Sequence, residues 1–218
     1  MKTSNIIHII IFVSLSVGCS QIKNELELPV LGRSEIVERE VDGVMVYDTI
    51  PHMISDFQFV DQDSSIITNE TFSGQVYVAD FFFTSCPTIC PIMKREMLRI
   101  YEIYENEPQV ALLSHSIDPK HDTVELLRDF AKNLGIESSK WHLVTGDKDK
   151  IYEIGEMSYM IVANEDPEAA GGYIHSGAFL LIDTKRRIRG VYDGTVPEQV
   201  DLLISDIKKL IKKDEPAK

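Results

Sequence analysis

Two cysteines four positions apart, Cys86 and Cys90, lie in Thr84-Ser85-Cys86-Pro87-Thr88-Ile89-Cys90-Pro91. Thiolate is both the nucleophile of disulfide exchange and a ligand for soft metals, so the pair can exchange electrons, hold a metal, or do both. At this spacing both sulfurs reach one side of a helix, and when oxidised they can close a Cys86–Cys90 disulfide. A purely structural disulfide is a poor reading, because so small a loop constrains the unfolded chain little. A thioredoxin-type redox pair ordinarily has two residues between its cysteines, and here there are three. A zinc site wants four ligands, which two cysteines and scattered histidines do not supply. Two thiolates and one imidazole suit Cu(I), a soft ion that accepts low coordination numbers.

The residues alone leave the imidazole open. His8 falls in the apolar leader, and His52 stands near the start of the domain with nothing beside it in sequence. His115 and His142 fall within strand patterns and fit a core, while His121 lies in the polar loop Asp118-Pro119-Lys120-His121-Asp122. His175 stands in the glycine-rich Gly171-Gly172-Tyr173-Ile174-His175-Ser176-Gly177. A lone loop histidine of this kind is ordinarily a surface residue.

Certain elements must hold these residues. Val76 to Phe83 is a short apolar, β-branched and aromatic run, the pattern of a strand buried on both faces. The cysteines follow at once, then Met93, Met97, Ile100 and Tyr104 recur at helical spacing. Pro91 suits the first turn of that helix. The cysteines therefore sit at a helix N-terminus, whose unpaired N–H groups and partial positive charge favour thiolate; Cys86 is expected to be the more exposed. Val110 to Ile117 is a second strand, followed by a helix capped by Asp122 with Glu125 and stopped at Gly135. Trp141 to Val144 is a third strand, and Lys148 to Met157 a short helix. Phe57, Val60, Ile66 and Ile67 form a hairpin on the main sheet, and Glu38 to Gly43 an exposed hairpin or loop. Two strands, Ala178 to Ile182 and Ile188 to Tyr192, flank a polar turn before a last helix opened by Pro197. The alternation predicts an α/β, thioredoxin-like fold: a central mixed sheet flanked by helices, with an N-terminal hairpin extension.

The chain has 218 residues, room for one domain with a sizeable core, and a formal charge of −13. That charge excludes a nucleic-acid partner, which needs a basic footprint. Lys2, the run Ile6 to Val13 and the small residues before Cys19 describe a signal peptide. The run is too short for a bilayer span of about 20 residues. Gly18-Cys19 resembles a bacterial lipobox, in which the cysteine is lipidated, although Ser16 stands where a bulky aliphatic residue is usual. An uncleaved N-terminal anchor is the alternative. Either way the domain is exported, periplasm-facing and held at a membrane, and Cys86 and Cys90 remain as the pair in a compartment where disulfides persist. The expected division is 1–18 signal peptide, 19–45 tether, 46–213 domain and 214–218 tail.

The cysteine segment from Asp80 to Pro91, Ser116-Ile117-Asp118-Pro119 with Asp122-Thr123, Leu143-Val144-Thr145-Gly146, and His175-Ser176 with Leu181-Ile182-Asp183 together resemble the Sco/SenC family. The resemblance runs over residues 50 to 212. It implies a thioredoxin-like, membrane-tethered domain that binds a copper ion through Cys86, Cys90 and His175. It also implies a role in cytochrome c oxidase assembly, delivering copper to the CuA-bearing subunit or another exported cuproprotein, or reducing the cysteines of the CuA site. Two departures are visible: Ile174 stands where the family often has Asp, and a lipid anchor stands where most members have a transmembrane helix. The competing reading is a thiol:disulfide oxidoreductase for exported proteins, with Cys86 attacking and Cys90 resolving. Redox sensing by the same pair is a third.

Overall fold

The computed structural model describes residues 27–166 and 173–214; the leader, Cys19, Gly171-Gly172 and the C-terminal tail lie outside them. An isolated antiparallel hairpin comes first, β1 (Glu35–Val41) and β2 (Val44–Ile50), turning at Asp42-Gly43 with both residues at positive φ. It straddles the boundary expected between residues 45 and 46. A second hairpin follows, β3 (Gln58–Asp61) and β4 (Ile66–Thr68), and then β5 (Val76–Phe82), every residue of which is buried. β6 (Val110–Ser116) is buried throughout, and β7 (Trp141–Thr145) nearly so. After a short antiparallel pair, β8 (Ala163–Glu165) and β9 (Tyr173–His175), come β10 (Ala178–Ile182) and β11 (Ile188–Asp193).

Seven strands form one mixed sheet in the order β11-β10-β5-β6-β7-β3-β4. β5, β6 and β7 are mutually parallel and the remaining neighbours antiparallel. Parallel strands need covered faces, which explains their unbroken apolar sequences. The cover is helical: α1 (Cys90–Tyr104), α2 (Val124–Leu134), α3 (Lys148–Glu153) and α4 (Pro197–Asp214). α1 buries Met93, Met97, Ile100, Tyr101 and Tyr104, each fully buried apolar side chain stabilising by about 1.5–3 kcal/mol. The thioredoxin-like arrangement expected from the sequence is therefore the one observed, including the N-terminal hairpin.

Three local details differ from expectation. Thr123, not Asp122, caps α2: its side chain accepts from the Leu126 N–H, and Gly135 closes the helix at φ 71°. Asp122 is fully buried one residue earlier and bonds elsewhere. The helix begun at Lys148 passes after Glu153 into a π-type turn, Ile154–Ser158, rather than continuing as α-helix. His52 is not isolated, since its Nε2 lies 2.7 Å from the Ser158 carbonyl oxygen. Its ring packs on Gly32, where any Cβ would fall 2.5 Å from the His52 Cβ.

Candidate thiol and metal site

β5 delivers the chain to the carboxyl end of the parallel strands, the end at which open α/β sheets place their ligand sites. There the backbone turns through Phe83 to Ile89 and enters α1 at Cys90, with Pro91 in the first turn. Pro91 gives up no hydrogen bond there, because the first N–H groups of a helix have no partner within it. Cys86 precedes the helix, its N–H donating to the Phe83 carbonyl at 3.3 Å and its Sγ lying 3.6 Å from the Thr88 hydroxyl.

Both cysteines are in the reduced, thiol form. Their exposures, 7% for Cys86 and 8% for Cys90, do not make Cys86 the more accessible. The expected fall in thiol pKa is reversed at Cys90. Burial raises it well above the ordinary value; a backbone hydrogen bond from Phe83 opposes this, and contact with Cys86 and the charge of Asp80 add to the rise. The two thiols thus interact directly, which brings the predicted pair together as a unit.

Behind Cys90 lies a cavity of about 30 Å³, lined by Asp80, Met93, Ser114, Phe130 and Trp141 among others. It has room for about one water molecule. Its polar wall is a chain in which Trp141 Nε1 donates to Ser114 Oγ at 2.8 Å and Ser114 Oγ donates to Asp80 Oδ1. Lys94 caps the apolar side, its Nζ 4.6 Å from the Phe130 ring centroid.

The other histidines separate cleanly. His115 is fully buried among the rings of Phe57, Phe59, Phe81 and Tyr159, and both its ring nitrogens lack a hydrogen-bond partner. His142 Nδ1 lies 3.0 Å from Asp61 Oδ2, and His121 is exposed. The His175 side chain lies outside the described residues, but its backbone is placed: His175 pairs with Ala163, and the Ser176 N–H donates to the Val162 carbonyl at 3.0 Å. This strand runs into β10, which lies antiparallel beside β5, so His175 enters at the cysteine end of the sheet. One contact ties this segment to the cysteine turn: the Tyr173 ring sits 5.0 Å from that of Phe83. On the other side, a Cβ added at Gly177 would lie 3.9 Å from the Ile89 side chain. Among the described residues, no three His, Cys, Asp or Glu side chains converge on one point.

A buried dithiol at the strand-to-helix turn of a thioredoxin-like sheet defines a class of proteins that work through paired thiols. Within that class, residues 47–212 match the SCO1/SenC family model, and the chain belongs to that family. The crystal structure of a SCO1/SenC family lipoprotein from Bacillus anthracis superposes with a TM-score of 0.68 at 30% identity, covering 73% of this chain and 95% of that one. BsSco, described as a member of the Sco family of cytochrome c oxidase assembly proteins with a disulfide switch, superposes with a TM-score of 0.65 at 30% identity, covering 74% and 94%. Arabidopsis thaliana ScoI, solved with copper bound, shares the fold with a TM-score of 0.60 at 22% identity, covering 72% and 99%.

Two residues important to the site's architecture carried no chemical signal in the sequence. Asp122 reads there as a helix cap, and Ser114 as one position of a strand. Their roles depend on which strands lie side by side.

Proposed function

We propose that the protein is a membrane-tethered copper-binding factor in which Cys86, Cys90 and His175 together take one copper ion. It then delivers that ion to the CuA-bearing subunit of cytochrome c oxidase or another exported cuproprotein, or reduces the cysteines of that site before loading. The observation that carries this reading is the contact of the Tyr173 ring with that of Phe83, 5.0 Å between centroids, two residues before His175 at the cysteine end of the sheet. The donor set fits: two thiols already in contact, in a pocket with little room for water, suit a soft ion that sheds its hydration. Cys90 gives up its thiol proton on capture, and ligand exchange with the partner's thiols then moves the ion on. The Bacillus anthracis relative is a lipoprotein, which supports anchoring at Cys19.

A second reading, thiol:disulfide exchange, is favoured by the direct Cys86–Cys90 contact. Cys86 thiolate attacks a partner disulfide and releases one partner thiolate. Cys90 thiolate then displaces the second, leaving a Cys86–Cys90 disulfide and a reduced partner.

Titration of the reduced full-length protein with Cu(I), followed by metal analysis, tests the first reading. Wild type should hold one copper ion tightly, and Cys86→Ala, Cys90→Ala and His175→Ala should each lose tight binding. Undiminished affinity in His175→Ala would refute the three-ligand site.

A further inference from the structure

Asp122 is fully buried, and its carboxyl group reaches across from the start of α2 to the cysteine turn. Oδ2 accepts from the Thr84 N–H at 3.1 Å and from the Ser116 hydroxyl at 2.6 Å, while Oδ1 accepts from the Thr84 hydroxyl. The Phe83–Thr84 peptide is thereby held at its N–H end. The carbonyl of that same peptide accepts the Cys86 N–H at 3.3 Å. One residue earlier, the Phe83 backbone hydrogen-bonds the Cys90 sulfur. A single buried carboxyl group therefore fixes the short stretch of backbone that touches both cysteines. β5 ends at Phe82 and α1 begins at Cys90, so the turn between them lies outside both elements, and this carboxyl group supports it together with the Cys86–Phe83 backbone hydrogen bond.

We propose that Asp122 is a positioning residue for the thiol pair, holding the Phe83–Thr84 peptide so that Cys86 and Cys90 keep the separation and backbone contacts their chemistry needs. This rests on the thiol pair as the working centre, but not on copper being its cargo. A Phe83–Thr84 peptide free to rotate about its flanking bonds would withdraw its carbonyl from the Cys86 N–H and release the backbone that continues from the Phe83 contact with Cys90. Residues that orient metal ligands from the next layer out alter affinity by about 10–100-fold when changed. The Ser116 contact serves as an internal control. It engages the same carboxyl group from β6, beside Phe82 and not within the turn itself, and its hydroxyl also receives the Asp118 N–H at 3.2 Å.

The test compares wild type, Asp122→Asn, Thr84→Val, Thr84→Ser and Ser116→Ala in the full-length protein. Asp122→Asn keeps the size but offers one acceptor oxygen where the carboxyl offers two. Thr84→Val removes the hydroxyl contact at nearly constant volume. The readouts are the equilibrium of the Cys86–Cys90 disulfide with glutathione and the rate of iodoacetamide alkylation of the reduced pair, both without metal. Asp122→Asn and Thr84→Val should shift the glutathione equilibrium by about tenfold and change the alkylation rate in step, and Thr84→Ser should restore both. Ser116→Ala leaves both Thr84 contacts to the carboxyl group in place and should stay within about twofold of wild type. Unchanged redox equilibrium in folded Asp122→Asn and Thr84→Val overturns the proposal. So does a shift in Ser116→Ala as large as that in Asp122→Asn, which would make Asp122 a general brace of the fold. If Asp122→Asn does not fold, the two Thr84 variants decide alone. A shifted glutathione equilibrium in a protein that takes no copper would uphold this proposal and remove the copper reading.

Discussion

Cys90 occupies the first position of α1, where two effects oppose each other. A helix end favours a nearby charge by about 0.3–1 kcal/mol, less than one pKa unit. Burial disfavours the thiolate by up to about 3–5 units, and at Cys90 it wins. His115 shows the same force without any opposing partner. Burial alone lowers its pKa to about 3, and both ring nitrogens are unsatisfied. Each such nitrogen costs about 1–3 kcal/mol of lost hydration. A phenyl ring in that place would keep the stacking on Phe81, whose ring centroid is 4.8 Å away, and carry no polar atom. The larger ring costs about 1–3 kcal/mol of overpacking, so His115→Phe should raise the unfolding free energy by a net of about 1–3 kcal/mol at neutral pH. The acid limb follows from linkage. The native state holds His115 neutral down to about pH 3, whereas the unfolded chain protonates it near its ordinary pKa of about 6.5. Stability is thus lost as pH falls through that window, by at most about 1.4 kcal/mol per pH unit. Urea unfolding from pH 7 to pH 4 should show that loss shallower in His115→Phe than in wild type. Parallel pH profiles would contradict it.

Among the elements, the first hairpin departs most from the rest. Every residue of β1 is exposed, and so is every residue of β2 except Val46 and Asp48. Its cross-strand ion pair, Arg39 with Asp48, is half-exposed and contributes little. A two-stranded hairpin is marginal on its own, and this one buries little against the domain. Replacing residues 35–50 with a short flexible linker should accordingly shift the melting temperature by no more than about 4 °C, the shift that about 1 kcal/mol produces in a domain of this size. A fall well beyond that would mean the hairpin is part of the cooperative fold. The second hairpin makes the contrast. β3 pairs with β7 and thereby extends the main sheet, and Phe59 and Ile67 are buried in the core.

At the scale of the whole molecule, the polypeptide enters the sheet far from the cysteines. Leu31 pairs with Ile188 at the start of β11, which stands opposite Ile182, itself paired with Tyr77 at the start of β5. Tyr77 and Phe82 are five strand residues apart, about 17 Å, and the cysteine turn lies beyond Phe82. A chain anchored through its N-terminus would therefore present its thiols away from the anchor. Arg189 fastens this entry. It is buried, pairs with Asp183 at 2.9 Å, and donates to the carbonyl oxygens of Pro29 (2.9 Å) and Leu28. Arg189→Met leaves Asp183 paired with Arg187 at 2.7 Å but strips the hydrogen bonds to Pro29 and Leu28, and should cost about 1–3 kcal/mol. It should also make residues 28–31 a site of early proteolysis, read by mass spectrometry of a brief thermolysin digest. An unchanged digest would show that the segment is held by other contacts.

The sequence by itself determined the α/β layout, because β5 and β6 advertise two-sided burial in unbroken apolar runs and α1 advertises one buried stripe. It also determined the thiol pair, because Cys86-x-x-x-Cys90-Pro91 is a local pattern that brings two sulfurs together within one turn of chain. Tertiary structure alone decided which residues support that pair. Asp122 looks like a helix cap from its neighbours in sequence, yet its carboxyl group bonds Thr84, 38 positions earlier. Asp80, Ser114 and Trp141 line one cavity wall because β5, β6 and β7 lie in register, a fact that strand patterns do not encode. The pKa of Cys90 likewise turned on burial, which sums over every element packed around it, and not on the helix end that the sequence reveals. Local pattern fixes what chemistry a side chain offers; packing fixes the dielectric and the partners that set how strongly it offers it.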